Sequence, residues 1–216
     1  MGLDWTGAPE AVPGPERVAR PALLIIDMQN DFVRRGAPLE VPDARATIPA
    51  IAALAARFRA RGRPVVFTRF VADERPGLMW LWSPQCRSGD QRCCWRGQMR
   101  DYADAAGPRP VIDVIDELAP APGDWIVDKH GYGAFHGTGL DARLRAAGVE
   151  SLVVCGTVTQ ICVEETAREA FHHGYPTVVV ADAVSSFAPD LHAATLRNLA
   201  MKFGWIADHR TVLSWL

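Results

Sequence analysis

Ala22-Leu23-Leu24-Ile25-Ile26-Asp27 decides how this chain is read: five apolar residues in a row, closed by a carboxylate. An unbroken apolar run of strand length marks a strand buried on both faces, because a half-exposed strand alternates apolar and polar residues. Similar runs recur at Pro64-Val65-Val66-Phe67-Thr68, Trp125-Ile126-Val127, Ser151-Leu152-Val153-Val154-Cys155 and Thr177-Val178-Val179-Val180. Between most of them lie stretches of helical character. Helices are predicted over 48–61, 140–147, 161–173 and 190–202, each stopped by a glycine at 62, 148, 174 or 204. Glycine ends helices well because it enters the left-handed conformation without steric cost. Strand and helix in alternation predict an α/β fold, a three-layer sandwich with a mainly parallel sheet flanked by helices, Rossmann-like in type.

The rest of the chain fits one domain. Its 216 residues are 49% hydrophobic and 22% charged, an ordinary globular mixture. Residues 1–20, rich in proline and glycine, read as an N-terminal arm, and 21–216 as a single domain. From about 70 to 122 the rhythm breaks into an insertion or lid that holds Trp80, Trp82, Trp95, Cys86, Cys93 and Cys94. No segment approaches the roughly 18 consecutive apolar residues of a membrane span, and the N-terminal stretch lacks the apolar run of a signal peptide. A cytoplasmic protein without a membrane partner is expected. A net charge of −2 with no basic stripe argues against nucleic acid. Five cysteines without CxxC modules point to reduced thiols, one of which is available for chemistry.

In a parallel sheet the carboxyl ends of the strands share one edge, where ligands gather. Three runs deliver a polar group there: Asp27, Lys129, and Cys162 within Gly156-Thr157-Val158-Thr159-Gln160-Ile161-Cys162. A carboxylate, an ammonium and a thiol brought together make an activated nucleophile, since a base and a nearby cation both favour the thiolate. The predicted helix places Cys162 in its first turn, where backbone N–H groups favour negative charge. Each residue alone has a plain alternative, a structural ion pair for Asp27 and Lys129 and a small buried hydrophobe for Cys162.

Taken together, Asp27-Met28-Gln29-Asn30-Asp31-Phe32, Lys129 followed by Tyr132, Ala134 and Phe135, and Gly156 through Val163 resemble the isochorismatase-like cysteine hydrolases over roughly residues 21–205. The resemblance implies an Asp27-Lys129-Cys162 triad with Cys162 as nucleophile and a cis peptide bond between Thr157 and Val158. It also implies an oxyanion hole formed by the backbone N–H groups of Val158 and Cys162. Nicotinamidases, carbamoylsarcosine, biuret and ureidoacrylate amidohydrolases, and isochorismatases are its members. Hydrolysis of a small linear amide, of ureide or carbamoyl type, through a thioester is the expected activity. Vinyl-ether hydrolysis of the isochorismatase type, nicotinamidase activity and a non-catalytic binding scaffold are the alternatives.

Nicotinamidases in this family bind metal through an Asp-x-His pair after the second strand; here that strand runs into Thr68-Arg69-Phe70-Val71-Ala72-Asp73, and all six histidines lie at position 130 or later. Neither a metal nor another cofactor is therefore expected. Phe32, Tyr132 and Gln160 are candidate substrate-binding residues, with core packing or backbone satisfaction as their alternatives. Trp80 and Trp95 are candidates for an aromatic lid, or equally for a subunit interface. A homodimer or homotetramer acting on a small-molecule amide is the expected assembly.

Overall fold

The apolar runs become the centre of one sheet. The computed structural model describes residues 14–74, 82, 83, 86 and 92–216. Its strands are β1 (Pro21–Ile26), β2 (Val65–Phe70), a short antiparallel pair β3 (Met99–Arg100) and β4 (Arg109–Pro110), then β5 (Trp125–Lys129), β6 (Ser151–Thr157), β7 (Thr177–Ser185) and β8 (Trp205–Ala207). Six of them form a sheet in the order β5-β2-β1-β6-β7-β8, every neighbouring pair parallel. The chain thus leaves β1 toward β2 on one side and returns to β6 on the other. That reversal opens a crevice at the carboxyl end of β1.

The helices are α1 (Asn30–Val33), α2 (Ala44–Ala60), α3 (Leu140–Ala146), α4 (Glu164–His172), α5 (Pro189–Lys202) and α6 (His209–Ser214). Leu23 and Ile25 of β1 pack with Ile51, Leu54 and Phe58 of α2, while Ala22, Leu24 and Ile26 face Leu144 of α3, Ala167 and Ala170 of α4, and Leu199 of α5. Both faces are covered, which explains why the run carries no polar position. Each such fully buried Leu or Ile contributes roughly 1.5–3 kcal/mol. Among the described residues, no helix is long and apolar enough to cross a membrane.

Several boundaries differ from the sequence reading. Helix α2 begins at Ala44, four residues before the expected start, and carries Pro49 inside it. The helix expected over 161–173 is in two parts, a π-helical turn Thr159–Val163 running into α4. Of the N-terminal arm, residues 1–13 lie outside the described residues; its remainder forms a 3-10 turn, Pro15–Arg17, and buries Val18. Within the insertion the described elements are β3, β4 and a 3-10 turn, Asp116–Leu118.

Two buried side chains tie this insertion to the start of α1. Asp31, fully buried, accepts hydrogen bonds from the Cys94 backbone N–H at 2.8 Å, Arg100 Nε at 3.0 Å and the Tyr102 hydroxyl at 2.7 Å. Arg34 donates to both oxygens of Glu117 at 2.7 and 2.8 Å and to Asn30 Oδ1 at 3.2 Å. Planar two-point contacts of this kind fix geometry as well as energy.

Candidate active site

Asp27 follows directly on β1 and its backbone is left-handed, φ +47°. The next strand over, β2, places Thr68 beside it: the Asp27 N–H donates to Thr68 Oγ1 at 3.1 Å, and the Thr68 hydroxyl donates to Asp27 Oδ1 at 2.6 Å. Lys129, the last residue of β5, reaches across β2, so that its Nζ lies 2.7 Å from Asp27 Oδ2. Both side chains are fully buried. The short contact is a buried ion pair. Lys129 also donates to the Gly131 carbonyl at 3.2 Å and sits 5.5 Å from the centre of the Phe70 ring.

Cys162 arrives from the other side of β1. On β6, Gly156 has φ +107°, and a Cβ there would stand 2.1 Å from the Ile26 carbonyl oxygen. Only a glycine lets β6 approach β1 so closely, and the approach brings the following π-helical turn to the end of β1. Within that turn Cys162 is buried, and both Asp27 and Lys129 act on its thiol. The peptide bond between Thr157 and Val158 is cis. The structure therefore brings Asp27, Lys129 and Cys162 together.

The electrostatics correct one expectation. Burial pushes the Cys162 thiol up to about 12; Lys129 pulls it down, and Asp27 adds to the rise. Desolvation outweighs the cation, which favours the neutral thiol over the thiolate that the residue types suggested. For Lys129 burial acts downward, yet the Asp27 carboxylate and Cys162 together hold it above its ordinary value. It remains a cation.

Of the three, Cys162 lies on the wall of a cavity of about 570 Å³ that also includes Phe32, Phe70, Tyr132, Val158 and Ile161, with the exposed Trp82 and Phe187 on it, while Asp27 and Lys129 are buried behind. Of the expected binding residues, Phe32 and Tyr132 are on this wall. Gln160 is not: its side-chain amide is buried, with neither polar atom hydrogen-bonded among the described residues. Trp95 is also off the wall, half-buried against the core with its indole N–H donating to the Cys86 carbonyl, and it is Cys86 that lines the cavity. Trp80 lies outside the described residues.

Sequence reasoning missed Thr68, Gln29 and Phe70. Thr68 closes the second apolar run on the same edge as Asp27, which was the available signal. Gln29 carries none: its fully buried amide accepts from the Phe70 N–H at 2.7 Å and donates to the Phe70 carbonyl at 3.0 Å. It thereby extends the pairing of β1 with β2 by one side chain and sets the ring that faces Lys129.

The metal-binding arrangement of nicotinamidases does not fit here. At the end of β2 the donors among the described residues are Asp73 and His130, whose Oδ2 and Nδ1 lie 3.0 Å apart, with the His130 Nδ1 also 2.8 Å from the Val71 carbonyl oxygen. Two donors fall short of the three protein ligands a catalytic zinc ordinarily takes. Among the described residues no group of three or more His, Cys, Asp or Glu side chains is placed to hold an ion.

Fold and site together define an α/β enzyme with its reactive groups at the carboxyl edge of a parallel sheet. The family described as Isochorismatase domain matches residues 21–211. A ureidoacrylate amidohydrolase from Stutzerimonas stutzeri is 35% identical, covering 96% of this chain and 89% of its own. Among solved structures, a cysteine hydrolase from Pseudomonas syringae pv. phaseolicola superposes with a TM-score of 0.83 at 28% identity, covering 94% of this chain and 95% of the other. The N-carbamoylsarcosine amidase of Thermoplasma acidophilum superposes with a TM-score of 0.68 at 28% identity, over 88% and 96% of the two chains. The chain belongs to the isochorismatase family and is a hydrolase of that family.

Proposed function

We propose that the protein hydrolyses the C–N bond of a small linear amide, of ureide or carbamoyl type, with Cys162 as nucleophile. The observation that carries the reading is the buried Asp27–Lys129 ion pair acting on Cys162, which lies on the wall of a cavity. The names of the similar proteins, ureidoacrylate amidohydrolase and N-carbamoylsarcosine amidase, support the substrate class.

Because the resting thiol is neutral, its proton leaves as sulfur attacks. Asp27 Oδ2 takes that proton, the S–C bond forms, and the substrate carbonyl oxygen becomes an oxyanion toward the backbone N–H groups of Val158 and Cys162. Collapse of this intermediate breaks the C–N bond, and Asp27 returns the proton to the leaving nitrogen. The thioester remains. Water, deprotonated by Asp27, then cleaves it, and the proton goes back to sulfur. Lys129 keeps its charge throughout and compensates the negative charge that moves between carboxylate and thiolate.

An ammonia-release screen over ureides, carbamoylated amino acids, biuret, nicotinamide and simple amides tests the reading, with Cys162→Ala assayed beside the wild type. At least one ureide or carbamoyl compound should be turned over, and Cys162→Ala should lose on the order of a thousandfold or more in kcat, as removal of a nucleophile does elsewhere. Equal rates in the two proteins would dispose of Cys162 as nucleophile. A quenched reaction should also yield an acyl adduct on the peptide containing Cys162 by mass spectrometry.

A further inference from the structure

We propose that Thr68 is a positioning residue that decides which oxygen of Asp27 carries the transferred proton. The inference rests on the reading of Asp27 as the proton acceptor.

A threonine hydroxyl has one hydrogen to give and lone pairs to receive. Both kinds of bond go to the same residue here: Thr68 Oγ1 accepts from the Asp27 N–H at 3.1 Å and donates to Asp27 Oδ1 at 2.6 Å. With the backbone N–H pointed at its lone pair, the hydroxyl hydrogen is directed to the carboxylate. Oδ1 therefore already meets a hydrogen, and a second proton placed there would confront it. Oδ2 faces the Lys129 ammonium at 2.7 Å and, among the described residues, receives no hydroxyl hydrogen. The proton from sulfur goes to Oδ2, on the face where it can later reach the leaving nitrogen.

Burial makes the arrangement binding. Thr68 and Asp27 are both fully buried, so no solvent replaces the hydroxyl if it is removed. The same bond holds the N–H of a residue whose backbone sits at φ +47°, which fixes the direction in which the carboxyl leaves the chain. The other titratable groups whose charges act around Asp27 are Lys129 from β5, Cys162 from the π-helical turn and Cys94 from the insertion.

The test compares Thr68→Val, which keeps the shape and removes both bonds, with Thr68→Ser, which keeps the hydroxyl. On whichever amide the ammonia screen identifies, Thr68→Val should lower kcat ~10- to 100-fold, as loss of a hydrogen bond to a charged group does, with KM within about twofold of wild type. Thr68→Ser should recover kcat to within about threefold of wild type. A Thr68→Val protein with wild-type kcat, or a Thr68→Ser protein as slow as Thr68→Val, overturns the proposal. Thermal melts report whether the valine variant is folded, and Thr68→Ala takes its place in the comparison if it is not. Asp27→Asn, assayed in parallel, separates the two levels: full activity there sinks the role of Asp27 itself, whereas an inactive Asp27→Asn beside a normal Thr68→Val sinks only the role of Thr68.

Discussion

At Cys162, burial and the Lys129 charge pull in opposite directions, and burial wins. A thiol held near 12 reacts with an external alkylating reagent only through its small thiolate fraction. In the enzyme without substrate, iodoacetamide labelling of Cys162 should be slow at neutral pH and rise about tenfold per pH unit between pH 7 and 10, as thiolate fraction requires. Labelling that is fast at pH 7 and flat above it would mean a resting thiolate. The partner charges carry stability as well as chemistry. Lys129→Met leaves Asp27 buried without its cation, and removing one partner of a buried pair costs ~3–5 kcal/mol. For a chain of this size that is a fall in Tm of roughly 6–20 °C by calorimetry. Cys162→Ala keeps the ion pair intact, so it should lose activity while keeping most of its stability.

At the level of elements, the approach of β6 to β1 depends on Gly156. An alanine there sets a methyl carbon against the Ile26 carbonyl and forces a left-handed backbone on an L side chain. Gly156→Ala should destabilise by about 3 kcal/mol or more, and displacement of the π-helical turn should lower kcat even in the folded fraction. A denaturant titration with activity measured on the refolded protein checks both. Asp31→Ala should loosen the insertion at Cys94, Arg100 and Tyr102, seen as faster amide hydrogen exchange over 94–102 with the sheet unchanged. The central strands and the three converging residues were legible in the sequence, because strands buried on both faces leave unbroken apolar runs and the reactive groups stand at their ends. The start of α2 was not. A proline commonly marks the first turn of a helix, which favours a beginning near Pro49, yet Ala44, Ile51 and Leu54 share one core and draw the helix back a full turn. Strand β8, three residues of which two are only half-buried, went unread although Trp205-Ile206-Ala207 is itself a short apolar run. The neutral state of Cys162 was hidden for another reason: residue types report which charges are near but not how much water has been removed.

For the molecule as a whole, the two edges of the sheet carry different burdens. At the amino-terminal edge Arg20 and Glu150 form an exposed ion pair, the kind that contributes ~0–1 kcal/mol. Arg20→Ala should leave kcat unchanged and move the unfolding free energy by no more than that, in contrast to Lys129→Met and Gly156→Ala at the opposite edge. Asp27 belongs to the central strand, Lys129 to an outermost one, and Cys162 to the turn after a third, so the site draws on both halves of the chain. No single hairpin or local helix pair contains two of the three. Long-range parallel pairing is slow to form, since distant segments must meet before any contact rewards them. Catalytic competence should accordingly be the last property regained when the denatured chain is diluted into buffer, tracking the docking of β5 and not the earlier return of helical signal.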